Sequence, residues 1–284
     1  MFLWDFVADA VMGQIVDWIY QKTLEFLSEF FSMMGNMGAE LFSYDFIKAI
    51  LEIFKLFGGS LFAVGIVVAV FEIAIEYQNG KGSVKGASLN AIKGFMAVSL
   101  FTILPIELYK FCISLQLTLT KDMASLIGGT SLGVVAGESI SIINSLDMNI
   151  FLLIFLLIMM GYAIIKVFFA NLKRGGILLI TIAVGSLYMF SIVRGYTDGF
   201  IQWCKQVIGI CLTAFLQSII LIAGLGVMRE NVLLGIGIVL SASEIPRIAG
   251  QFGLDTSTKA NLMSTIYAAQ SAVTITRTIA GAVK

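Results

Sequence analysis

Asn149–Leu172 reads NIFLLIFLLIMMGYAIIKVFFANL, and Lys166 is its single charge. A nearly uncharged run of this length is what a helix needs to cross a hydrocarbon core about 30 Å thick. Its sequence neighbours repeat the pattern. Apolar stretches at 50–75, 88–109, 175–193 and 206–228 are separated by short charged breaks. The expected fold is all-α: a polytopic membrane helix bundle of about five transmembrane helices. The composition agrees, with 58% hydrophobic and only 13% charged residues, against about 25% charged in soluble domains. Glycine is frequent (28) and proline rare (2), as suits helices that approach one another closely in lipid.

The ends differ from this middle. Residues 1–34 show helical periodicity, with Leu3, Val7, Val11, Ile15 and Trp18 near one face and Asp5, Asp9, Asp17, Glu25 and Glu29 on another. This amphipathic helix is too charged to span. It lies on a bilayer surface or packs against a partner or a second copy. The first 52 residues carry eight acids against Lys22 and Lys48, which argues against a cleaved signal peptide. Residues 1–46 are therefore expected as an outer amphipathic segment and 47–243 as the bundle, with an outer loop at 110–148. Residues 244–284 are expected as a polar tail, rich in Ser, Thr and Ala. The run Val232–Ser243 is short for a span and reads as a re-entrant or interfacial helix, or as a sixth span.

Short-loop charge sets orientation. Lys81, Lys85 and Lys93 occur in 77–93 without an acid. Lys173-Arg174-Gly175-Gly176 reads as a tight turn between two spans. Both are expected in the cytoplasm, which places the N-terminus, 110–148 and 194–205 outside and the tail inside. The five basic residues Lys81, Lys85, Lys93, Lys173 and Arg174 then form a cytoplasmic collar in an oligomer, or only fix the topology.

Chemical motifs are sparse. There is no histidine, which removes the commonest general base and metal ligand. No P-loop, HExxH or paired CxxC occurs. Gly80-Lys81-Gly82-Ser83 is a flexible basic loop. The three cysteines, Cys112, Cys204 and Cys211, read as apolar fillers. No enzyme activity, cofactor or metal is expected. Charges inside spans are functional candidates by default. Glu72 and Lys166 either pair across helices, line a polar path, or snorkel to the interface. Gln217 is expected to hydrogen-bond a neighbouring helix. Gly59/Ala63 and Gly65/Ala69 offer small-residue packing faces. The corresponding broken helices of an inverted-repeat transporter are missing.

An acidic amphipathic start, about five spans, a central outer loop and a polar tail resemble the TrbL family of conjugative type IV secretion systems. The polar ends, SASEIPRIAGQFGLDTSTKANLMSTIYAAQSAVTITRTIAG and GGTSLGVVAGESISIINSLD, resemble members from Gram-positive elements. The resemblance implies a non-enzymatic scaffold or channel subunit of the cytoplasmic membrane, which helps a DNA–protein substrate across. It implies contacts with a secretion ATPase, a coupling protein and a stalk protein. The amphipathic N-terminal helix, with Trp4, Trp18, Phe26, Phe30 and Phe31, is expected to self-associate into a homo-oligomeric ring in membrane lipid, with transient contact to single-stranded DNA. The alternatives are a small-molecule or ion permease using Glu72 and Lys166, and a pore-forming lysis protein.

Overall fold

The computed structural model describes residues 38–80, 82–126 and 150–254, with scattered positions between 14 and 29. The N-terminal amphipathic segment, most of the expected outer loop and the tail beyond 254 lie largely or wholly outside the described residues. Described positions between 14 and 29 are helical, and Lys22 pairs with Glu25 at 2.5 Å.

The described chain is helical. After a 3-10 turn at Glu40–Ser43 come α1 (Asp45–Gln78), α2 (Val84–Leu100), α3 (Ile103–Leu126) and α4 (Ile150–Gly185). A 3-10 turn at Ser186–Tyr188 leads to the short α5 (Met189–Ile192). α6 (Asp198–Val227), α7 (Val232–Ala242) and α8 (Ile245–Gln251) follow. Four stretches are long and apolar enough to cross a membrane: Asp45–Gln78, Ile103–Met123, Ile154–Ile192 and Asp198–Val227. The pair α7 and α8, bent by 55° at its break, supplies a fifth if it crosses as one unit.

Local chemistry sets the boundaries. α1 stops at Asn79-Gly80, where Gly80 has a φ of +72°, a left-handed conformation that glycine adopts without strain. α2 starts where Ser83 Oγ accepts a hydrogen bond from the Gly86 amide at 3.2 Å. Asn231 caps α7 in the same way, accepting from the Leu234 amide at 3.0 Å.

Three expectations are corrected. The stretch at 88–109 is not one helix: the chain breaks at Phe101-Thr102, and Pro105 sits in the first turn of α3, where no backbone N–H is missed. Helix therefore continues to Leu126, and residues 110–126 are not loop. Lys173-Arg174-Gly175-Gly176 is no turn. It lies inside α4, and Ile154–Ile192 is one stretch of 39 residues, roughly 58 Å at 1.5 Å per residue. Gly175 is there for packing: a Cβ on it would lie 2.9 Å from the Gly38 carbonyl oxygen. The third correction concerns Gly59/Ala63. Gly59 faces open space and Ala63 is exposed, whereas Gly65 and Ala69 are buried.

Contacts between named residues give the directions. α1 and α2 are antiparallel, since Gly58 meets Phe101 and Gly94 meets Phe62. α1 runs parallel to α5: Gly58 faces Met189, and Gly65 faces Phe190 and Val193. α4 and α6 are antiparallel, with Gly185 against Trp203 and the Trp203 Nε1 donating to the Thr181 carbonyl at 2.6 Å. α7 doubles back on α6, placing Gly224 against Val239 and Gly235 against Met228. The 79–83 and 193–197 turns therefore share one end of the bundle, and a Cβ on Gly195 would sit 2.9 Å from the Asn90 amide nitrogen.

In lipid, burying apolar surface between helices has little driving force, so association rests on close packing and hydrogen bonds. The core is Phe101, Tyr109, Leu178, Ile182, Met189, Trp203, Ile210 and Cys211, with neighbours. Burial is uneven. The most apolar window of Asp198–Val227 is 61% buried, that of Asp45–Gln78 only 17%. α6 is thus the central post, while α1 shows Ile53, Leu56, Val64, Val67 and Phe71 outward.

Candidate functional site

The polar chemistry of the bundle concentrates in three clusters. The first joins Glu72 and Arg194. Arg194 Nε donates to Glu72 Oε1 and Oε2 at 3.1 and 3.0 Å, and Nη2 donates to Oε1 as well. Phe190 and Tyr196 flank the guanidinium, with ring centroids 4.9 and 5.2 Å away. α1 and the α5–α6 turn supply the two halves. Hydrogen bonding to Glu72 lifts the Arg194 pKa above its ordinary value. The pair borders a cleft of about 430 Å³, whose walls also hold Glu76, Ser83 and Asn90.

The second cluster contains Lys166. Its Nζ donates to Ser243 Oγ at 3.3 Å and lies 3.5 Å from a Glu244 carboxylate oxygen. It also stands 5.8 Å from the Tyr162 ring centroid. Glu244 accepts from Arg247 Nε at 2.7 Å. This ties the break between α7 and α8 to the side of α4. Glu72 and Lys166 do not meet; each has a partner of its own.

The third cluster is buried. Arg174 is fully enclosed. Its Nη1 donates to Asn171 Oδ1 and its Nη2 to Gln217 Oε1. Gln217 Nε2 donates onward to the Ala242 carbonyl at 3.0 Å. The expected interhelical role of Gln217 is what the structure shows. Arg174 Nε has no hydrogen-bond partner, and among the described residues no carboxylate pairs with Arg174. An arginine at the centre of a membrane helix costs roughly 2.5–3.5 kcal/mol on insertion scales. Two amide oxygens offset part of that cost.

The expected basic collar is dispersed. Lys85 and Lys93 are exposed on α2, near the end that carries Arg194. Lys81 lies outside the described residues. Lys173 is exposed midway along α4. Arg174 is not at a surface at all, because helix continues through it and neutral amides accept from both of its terminal nitrogens. The reading of 194–205 as a loop on the side opposite 77–93 is also corrected. With one long helix replacing two spans, Arg194 meets Glu72 at the same end as the 79–83 turn.

Sequence reasoning missed Arg194 and Glu244 as partners and Arg174 as buried. The sequence carried one signal for Arg174: a glycine pair immediately after a charge is also where a backbone can cross a helix closely. Among the described residues, no group of three or more Cys, Asp or Glu is placed to hold a metal ion. All three cysteines are free.

No curated protein and no solved structure matches the chain. The family described as conjugal transfer protein TrbL matches it over residues 1–284. A helical bundle with four or five candidate spans, matched from end to end by that family, makes this chain a multi-pass membrane component of conjugal transfer and a member of the TrbL family.

Proposed function

We propose that the chain is a scaffold and channel subunit of a conjugative type IV secretion system, assembled as a homo-oligomeric ring. The observation that carries this reading is the sparse burial of α1 in a chain that the family matches over residues 1–284. A span that packs so little of itself internally offers its apolar face to lipid or to other subunits. The pairing of Glu72 with Arg194, and of Lys166 with Glu244, weighs against a permease, since each charge is neutralised by a partner.

The end bearing Lys81, Lys85, Lys93 and Arg194 is the cytoplasmic one, by the excess of basic residues in its short connections. Residues 1–46 then lie outside, where a stalk protein meets them, and the tail beyond Leu254 lies inside, where a secretion ATPase and a coupling protein dock. Repeated around a ring, Lys81, Lys85 and Lys93 form a positive collar that draws single-stranded DNA toward the axis by counterion release. Lys173 sits away from this end and Arg174 is enclosed, so neither belongs to the collar.

A mating assay tests the collar. The triple variant Lys81→Gln, Lys85→Gln, Lys93→Gln should insert normally and lower DNA transfer about tenfold or more. Transfer at the wild-type rate, with insertion unchanged, would remove the collar from the account.

A further inference from the structure

A groove of about 550 Å³ runs along the bundle where α2 breaks into α3, with α6 as its opposite wall. Its lining is apolar for most of its length: Leu104 and Leu108 face Cys204 and Ile208, and Trp203 forms part of the wall. Its polar groups lie at one end, where Lys93 on α2 and Thr197 at the start of α6 sit near the 193–197 turn. Lys93 is exposed, and among the described residues no ion pair is formed by it.

The dimensions have a meaning in a bilayer. Along α6 the lining runs from Thr197 to Ile208, a rise of roughly 16 Å. One leaflet of a hydrocarbon core is about 15 Å deep. The groove thus reaches from a polar connection between two candidate spans to about the mid-plane, with its cation at the headgroup end. Asp198 adjoins that end on α6 and bears the opposite sign, but it does not line the groove. An acyl chain fits the apolar length, and a phosphate at its head pairs with Lys93.

We propose that this groove is a binding site for one anionic phospholipid, whose acyl chain lies between α3 and α6 and whose phosphate is held by Lys93. The helix break creates the site: at Phe101-Thr102 the path changes from α2 to α3, and the groove opens beside that break. The site needs no oligomer and does not rest on the DNA-collar reading.

Trp203 provides the readout, since the chain's other tryptophans are Trp4 and Trp18. The full chain with Trp4→Phe and Trp18→Phe is reconstituted into vesicles containing brominated phosphatidylglycerol or brominated phosphatidylcholine, and Trp203 quenching is measured. The anionic lipid should be preferred about fivefold, the factor one basic side chain near the surface supplies. Lys93→Gln should level the two lipids and Lys93→Arg should retain the preference. Cys204→Phe, which fills the groove, should reduce quenching by both, with circular dichroism unchanged. Equal quenching by the two lipids in the parent protein overturns the anionic site. So does Trp203 that neither lipid quenches, the outcome expected if a second copy covers the groove. Quenching indifferent to Cys204→Phe would place the lipid elsewhere.

Discussion

Arg174, midway along a helix of more than thirty residues, donates a buried hydrogen bond to Gln217 on the antiparallel neighbour. Gln217 Nε2 in turn donates to the Ala242 carbonyl. One arginine and one amide thereby link α4, α6 and α7 in the interior of the bundle.

Removing one member of this link should cost more than replacing both. Gln217→Leu leaves the Arg174 guanidinium with an unfilled donor in a dry site and should destabilise by about 2 kcal/mol. Adding Arg174→Met, which is apolar and flexible, should recover most of that loss. Thermal unfolding in mild detergent measures both. Additive losses in the double variant would show that the two side chains are not coupled.

The Glu72–Arg194 pair predicts a specific rescue. Glu72→Arg alone places like charges together and should lower the yield of folded protein. Arg194→Glu in the same chain should recover part of it, the shortfall being the lost stacking against Phe190 and Tyr196. Lys166→Glu should give no such rescue, because Lys166 sits with Ser243 and Glu244. Rescue of Glu72→Arg by Lys166→Glu, measured by size-exclusion of the detergent extract, would contradict the pairing.

Two glycines should respond in opposite ways. A Cβ on Gly185 would lie 2.7 Å from the Trp203 indole, so Gly185→Ala should cost about 1–3 kcal/mol. Gly59 faces open space in mid-helix, so Gly59→Ala should stabilise by up to ~1 kcal/mol through helix propensity alone. Melting temperatures of the two variants moving together would undo this assignment of packed and lipid-facing sides.

The spans were legible in the sequence because lipid demands long uncharged helices. Asn149–Leu172 and Gln206–Met228 declare themselves without help. Connections were harder. Lys173-Arg174-Gly175-Gly176 has the composition of a turn, yet tertiary contacts override it: Gly38 packs on Gly175, and Asn171 and Gln217 accept from the arginine's terminal nitrogens. The stretch 88–109 likewise reads as one span, yet it breaks at Phe101-Thr102 and Pro105 takes the first turn of the next helix, a place that suits proline. Glu72 was visible as an anomalous charge, but its partner lies 122 residues away. No local pattern specifies a pair at that separation.

The central structural claim is that Ile154–Ile192 is one continuous helical stretch, which puts the 79–83 and 193–197 turns on the same side of the membrane. Cysteine accessibility in intact cells tests it, using Ser83→Cys, Asp122→Cys and Tyr196→Cys one at a time in a cysteine-free chain. Positions 83 and 196 should react with an impermeant maleimide only after permeabilisation, and position 122 should react without it. Labelling of position 196 from outside while position 83 stays protected would contradict the account and restore a turn at Lys173–Gly176.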